Sequence, residues 1–187
     1  MKDVPIEIAT DRLILSPPVQ SDLADIIKYA SDYDVAKTTR SMPHPYEKHH
    51  ADYWINLSIQ GRENEDHYVF GQRLRSTGQL IGGIGIKINK PDNNGSLGYW
   101  LGKEHWNQGY TTEACKAIID FGFQHLKLHK IHAQFIAINE ASGSVMKKSG
   151  MEEEAFMKGH VMRNEEYHDV YQYGILRSEW EGRKNLI

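Results

Sequence analysis

Apolar and polar residues alternate over positions 12–16 as on a strand with one buried face, and Pro17 and Pro18 end the run. Ser21 or Asp22 can then cap a helix carrying Leu23, Ile26 and Ile27. Residues 42–46 make a proline-braced loop, and from Glu47 the spacing of Tyr53, Trp54 and Leu57 among polar residues predicts a second helix. The period then falls to two. Residues 68–73, 80–88 and 96–101 read as strands separated by Ser-Thr-Gly and Pro-Asp-Asn-Asn-Gly turns, an antiparallel meander. An amphipathic helix over about 111–126 and a buried strand over 130–138 follow; as a βαβ crossover they set strand 130–138 parallel to strand 96–101. Residues 142–149 form a short helix closed by Gly150, and 154–162 pairs with 167–176 through the Asn164-Glu165-Glu166 turn. The expectation is α+β: one domain over 1–187, with a central, mostly antiparallel mixed sheet of about seven strands and flanking helices.

Composition narrows the function classes. At 187 residues and 40% hydrophobic content the chain can bury a substantial core. No apolar run approaches a membrane span, and residues 1–10 have neither the cationic start nor the apolar centre of a signal peptide, so a cytoplasmic location is expected by default. The net charge of −3, with no basic stripe interleaved with aromatics, argues against direct nucleic-acid binding. Ten histidines raise a metal hypothesis, but they show no ligand-type spacing with cysteine or carboxylate, and no metal is expected. Cys115 is the only cysteine; its place on the amphipathic helix reads as a core thiol, not a nucleophile.

The chemistry concentrates where loop becomes helix, at HWNQGYTTEA (residues 105–114). A helix start leaves backbone amides unpartnered at the positive end of the macrodipole, so the amides of Asn107, Gln108, Gly109, Tyr110, Thr111 and Thr112 suit a pyrophosphate. Gly109 permits a sharp turn and close approach to an anion; the competing reading is an ordinary capped helix start. Glu113 would repel phosphate if it faced inward, and is expected to point away. The stretch lacks the Gly-Lys-Ser/Thr of a P-loop and the GxGxxG of a dinucleotide fold.

GYWLGKEHWNQGYTTEA resembles the cofactor loop of GNAT N-acetyltransferases, in the branch of the RimJ/RimL ribosomal-protein N-terminal acetyltransferases. ATDRLILSPPVQSDLADI, INEASGSVMKKSGM and HDVYQYGILRSEW resemble further segments of that branch in the same order, so the likeness runs from about Ala9 to Trp180. Two departures stand out. Thr111 replaces a smaller Gly or Ala, and Ser96 stands where many relatives carry a Glu that would serve as general base.

The resemblance implies a GNAT fold with splayed central parallel strands and acetyl-CoA as cosubstrate. Its pantetheine arm would lie along Trp100 and Leu101, the Leu101 amide would polarise the thioester carbonyl, and Asn139 and Ser142 would sit on the cofactor and acid side. Ser142 is then a proton donor or merely a helix cap, and Asn139 a cofactor contact or a turn stabiliser. His44, Glu104 and His160 are the candidates for the base. His44, Tyr46 and Tyr99 are expected on the acceptor side; Tyr46, Trp54, Tyr99, Trp100 and Trp106 are pocket or core aromatics. An α-amino group, with a pKa of about 7.7 to 8.0, is already partly neutral in the cell, which favours an N-terminal or other low-pKa amine over a lysine as acceptor. A small-molecule amine acetyltransferase, a catalytically silent acyl-CoA-binding module and a homodimer stay open.

Overall fold

A computed structural model describes residues 4–163 and 165–184. The chain runs β1 (Ile8–Ala9), β2 (Leu13–Ser16), α1 (Leu23–Ala30), α2 (Tyr33–Lys37), α3 (Lys48–Glu63), β3 (His67–Leu74), β4 (Leu80–Asn89) and β5 (Asn94–Leu101). It continues through α4 (Tyr110–Gln124), β6 (Lys130–Ile136), α5 (Glu140–Lys148), β7 (Glu152–Arg163), β8 (Glu166–Leu176) and α6 (Arg177–Lys184). The strands form one sheet in the order β1-β2-β3-β4-β5-β6-β8-β7. Every neighbouring pair is antiparallel except β5 and β6, which are parallel as the βαβ order requires. The sheet has eight strands where about seven were expected, because the short β1 adds an edge to β2. Asn164, in the predicted last turn, lies outside the described residues.

One sheet face is apolar because alternate residues of each strand supply it. Leu13 and Leu15, Tyr68 and Phe70, Ile84 and Ile86, and Leu97 and Leu101 meet Cys115, Ile118, Ile119 and Phe121 of α4, all 7% exposed or less. Each such side chain contributes about 1.5 to 3 kcal/mol on burial, so the α4 contact fixes that helix firmly to the sheet. The opposite face is covered at one end by α1 and α3 through Ile26, Ala51, Ile55 and Leu80. There Asp22, 8% exposed at its side chain, receives both Nη atoms of Arg73 in a fork and caps the Val19 amide at 2.7 Å. Further along the same face the sheet floor is left uncovered. Among the described residues no helix is long and apolar enough to cross a membrane, and no cluster of three or more His, Cys, Asp or Glu is placed to hold a metal.

Candidate active site

The helix start was expected at Thr111 and is observed one residue earlier, at Tyr110, with Gly109 as its cap. Gly109 has φ 80° and Asn107 φ 60°, left-handed conformations that swing the chain into the helix axis; at Gly109 a side chain would be strained. The first helical bond runs from the Glu113 amide to the Gly109 carbonyl at 3.0 Å, so the amides of Tyr110, Thr111 and Thr112 are the unpartnered first-turn donors. Glu113 does turn away. Its carboxylate accepts from Thr10 Oγ1 at 2.6 Å, the Arg12 amide at 2.8 Å and Arg12 Nε at 2.7 Å. Burial works to raise its pKa, but these bonds outweigh it and hold the carboxyl below its usual value.

Arg12 thereby becomes part of the loop. Its Nη1 donates to the Gln108 carbonyl at 2.8 Å and its guanidinium stands 4.6 Å from the Tyr110 ring centre. The sequence shows Arg12 only as the first residue of a strand; its pairing with Glu113 spans 101 positions and carries no local signal.

The parallel ladder supplies a gap. Residues 94–97 of β5 pair with 130–133 of β6, ending at Leu97↔Ala133, although the strands continue to Leu101 and Ile136. On its other side β5 stays paired with β4 as far as Gly82↔Leu101, and the Gly102 amide donates to the Ile81 carbonyl at 2.8 Å. Alternation along β5 therefore turns the Tyr99 and Leu101 amides toward the side that β6 has left. Trp106 Nε1 donates to the Leu101 carbonyl at 2.8 Å, tying the end of β5 to the loop before α4. Gln72, fully buried, donates to the Gly83 and Trp100 carbonyls at 3.0 and 3.2 Å and stiffens the same edge from beneath.

Opposite the gap, Asn139 and not Ser142 caps α5. Asn139 Oδ1 accepts from the Ser142 amide at 3.2 Å, while its Nδ2 donates to Ser142 Oγ at 3.1 Å and to the Thr38 carbonyl at 2.9 Å. Ser142 Oγ, receiving from Asn139, keeps its own proton to give. Tyr99 donates its hydroxyl to the Ser142 carbonyl at 3.1 Å, and burial pushes the phenol pKa up, so it remains protonated.

These elements surround one cleft of about 1300 Å³. Of the residues singled out from sequence, Tyr46, Tyr99, Trp100, Leu101, Asn107, Gly109, Tyr110, Thr111, Thr112, Asn139 and Ser142 all line it. Gln108 does not: its side chain turns out to donate to the Glu104 carbonyl at 3.1 Å. His44 does not either; it lies against Tyr33, ring centres 5.2 Å apart, in a side pocket of about 290 Å³ that shares residues 40–43 with the cleft wall. Burial raises the Tyr46 phenol to about 12, so it too is neutral. Of the expected bases, Glu104 is an exposed partner of Lys28 at 3.3 Å and His160 is exposed on β7. The histidines that do face the cleft are His50, His67 and His105, none of them weighed as a base from sequence. Strand alternation is the signal that could have found His67, since it shares its face with Val69 and Gly71.

A positive helix start and a pair of diverging strands share one cleft, a shape that suits a diphosphate at one end and an extended amide-bearing arm along the other, the form of an acyl-thioester-using transferase. The profile of the "Acetyltransferase (GNAT) domain" matches residues 12–152, and the chain belongs to the GNAT family of N-acetyltransferases, whose cosubstrate is acetyl-CoA. It is 30% identical to the N-acetyltransferase YnaD of Bacillus subtilis over 94% of this chain and 99% of that one. It is 32% identical to the putative ribosomal N-acetyltransferase YdaF of the same organism over 57% of this chain and 59% of the relative. Among solved structures, a GNAT acetyltransferase from Bacillus anthracis superposes with TM-score 0.83 at 26% identity, over 92% of this chain and 99% of its own. RimL, a ribosomal L7/L12 alpha-N-protein acetyltransferase with coenzyme A bound, shares the fold at TM-score 0.81 and 15% identity, over 92% and 97%. Spermidine N-acetyltransferase from Vibrio cholerae, with CoA and spermine, shares it at 0.77 and 21%, over 92% and 99%.

Proposed function

We propose that the chain is a single catalytic domain that transfers acetyl from acetyl-CoA directly to a primary amine, the N-terminal amine of a protein. When bound, acetyl-CoA supplies the activated acetyl group as a thioester. The amides of Tyr110, Thr111 and Thr112 hold the diphosphate, with Asn107 and Gly109 shaping the turn and Arg12 bracing it. The amides of Tyr99 and Leu101 hold the pantetheine arm and polarise the thioester carbonyl from the open edge of β5. Ser142, its Oγ fixed by Asn139, returns a proton to the leaving sulfur. Most of the acceleration comes from holding amine and thioester together, worth roughly 7 to 11 kcal/mol in favourable cases.

The observation that favours a protein N-terminus over a polyamine is the charge of the cleft. Among its lining residues Glu140 is the one acid, set against Arg40 and Lys148, whereas a polycation needs several carboxylates. The wall is also built to be rigid: Arg163 of β7 donates to the carbonyls of Ala36, Lys37 and Thr39 at 2.6 to 2.7 Å, holding the segment that leads to Tyr46. Tyr46, Trp54 and Trp100 give that wall flat apolar surface suited to the first side chains of a peptide. The test is a mass-spectrometric screen with acetyl-CoA against peptides beginning with Ala or Ser and against spermidine, with calorimetry of CoA binding alongside. Acetylation of the peptides supports the reading. Preference for spermidine makes the chain a small-molecule enzyme, and CoA binding without any product makes it a silent binding module.

A further inference from the structure

The site as described has a proton donor and a carbonyl polariser, but nothing in it yet takes the proton from the incoming amine. We infer that His67, on β3, is the general base of the acetyl transfer; the inference rests on the N-acetyltransferase reading above. His67, Lys87, Ser96 and His132 lie in one row across β3, β4, β5 and β6, on the sheet face opposite α4. Of this row only His67 and Ser96 line the cleft, and Ser96 carries no group that titrates near neutrality.

The geometry aims His67 along the floor. A β-carbon at Gly61 of α3 would lie 2.4 Å from the His67 carbonyl oxygen and 2.6 Å from its Cβ, so only glycine lets α3 press down on this residue. The imidazole consequently runs along the sheet toward Gly85, where Nε2 stands 3.5 Å from the position of a β-carbon. Gly85 pairs with Gly98 of β5, where a β-carbon would meet nothing within 4 Å. That open floor, beside the first β5 residue beyond the last β6 pair, is room for an amine directed at the thioester.

The other cleft histidines are committed elsewhere: His50 Nδ1 accepts the Glu47 amide at 3.0 Å, and His105 Nε2 is 3.3 Å from the Tyr29 hydroxyl. Burial first, then the positive charge of Lys87, lower the pKa of His67, with Asp66 opposing; α3 meets it through uncharged Gly61. It is therefore neutral and able to accept a proton at pH 7. An ammonium acceptor gives up two protons. One passes to His67 and on to solvent, the second ends on the CoA thiol, and the new C–N bond forms as the C–S bond breaks.

The test joins a spectroscopic and a kinetic measurement on the full chain. Histidine NMR titration, with His67 assigned by its loss in His67→Gln, is expected to place its midpoint below the ordinary value of about 6.5. His67→Gln is expected to keep its melting temperature and acetyl-CoA dissociation constant, to lose about 100-fold or more in kcat on Ala- and Ser-initial peptides, and to lose the acid limb of the kcat/KM profile. Free imidazole should restore part of the rate in His67→Ala. A His67 that is protonated at pH 7.5, or a His67→Gln that retains both rate and acid limb while the wild type acetylates normally, overturns the assignment alone. A wild type that binds acetyl-CoA yet acetylates none of the amines overturns the transferase reading and this one with it.

Discussion

Trp106→Phe isolates a single hydrogen bond on which two parts of the site depend. The indole Nε1 donates to the Leu101 carbonyl at 2.8 Å, and Trp106 packs against the main core beside the loop that precedes α4. Phenylalanine keeps an aromatic ring there and removes the donor. A neutral hydrogen bond contributes about 0.5 to 1.5 kcal/mol net, but an acceptor left unpartnered in a dry place costs about 1 to 3 kcal/mol. Leu101 is only 7% exposed, so the loss should fall near 1 to 2 kcal/mol, mostly from the second effect. For a chain of this size each kcal/mol lowers Tm by about 2 to 4 °C, so a fall of about 2 to 8 °C is expected in thermal melting. The catalytic consequence is separate. The peptide unit that Trp106 anchors follows the one whose N–H faces the gap, and a strand end free to rotate misaligns that donor. A tenfold drop in kcat/KM, equal to about 1.4 kcal/mol of transition-state stabilisation, should appear in thiol release measured well below the lowered Tm. If Trp106→Phe melts with the wild type and turns over at the same rate, the indole bond does not hold the carbonyl-polarising edge. The Leu101 assignment would then lose its structural support.

Ser142→Ala should lower kcat several-fold while leaving the acetyl-CoA dissociation constant within about twofold, because Asn139 still caps α5 without the hydroxyl; equal loss in both quantities would make Ser142 a binding residue. Asp22→Ala leaves the buried guanidinium of Arg73 without its carboxylate and the Val19 amide without its cap, and should destabilise by about 3 to 5 kcal/mol in urea unfolding; a change under 1 kcal/mol would contradict it. Burial lowers the pKa of His67, His105 and His132, so the unfolded chain binds these protons first on acidification. Their contribution to stability is therefore full above about pH 6.5 and lost as pH falls through the lower folded values, and melting at pH 7.5 and 5.5 should show the decline; a flat or rising Tm would refute it. Cys115 is fully buried and its thiol pKa is raised by that burial, so Cys115→Ala should remain active and iodoacetamide should leave the native protein unlabelled.

What could be read from the sequence divides along a physical line. The meander from β3 to β5 was legible because period-two apolar residues are interrupted by residues fit for turns; Gly78 and Asn93 do take left-handed conformations there. The α4 cradle was legible because Gly109 opens a helix whose buried face repeats correctly. The choice between Asn139 and Ser142 as cap was not, since both residues suit the role. It is decided by backbone: Asn139 stands outside helical geometry at φ −101° and ψ 64°, which leaves Ser142 inside the first turn. Arg12 and His67 were missed for a different reason. The Arg12 contact spans 101 positions, where neither periodicity nor a local motif reaches; alternation places His67 on the face of Val69 and Gly71, but which strands cross that face is set only by the folded sheet.

The splay itself shows why such contacts govern the site. Nothing in the letters of β5 or β6 says that pairing should stop after Leu97 and Ala133, for both strands stay strand-like to their ends. Beyond that point each strand is held on its far side. β5 is kept on β4 through Gly82↔Leu101 and by the Gln72 side chain, and its end is tied by Trp106 to the loop before α4, while β6 is kept on β8 as far as Ile136↔Val170. Where β5 and β6 part, the Tyr99 and Leu101 amides are left facing the gap, and these are the amides proposed above to hold the cofactor arm. Weakening either outer attachment should therefore close or skew the gap before it unfolds the protein. On that basis Gln72→Leu, which removes the buried amide donated to Gly83 and Trp100, should reduce kcat/KM by more than its loss of stability accounts for.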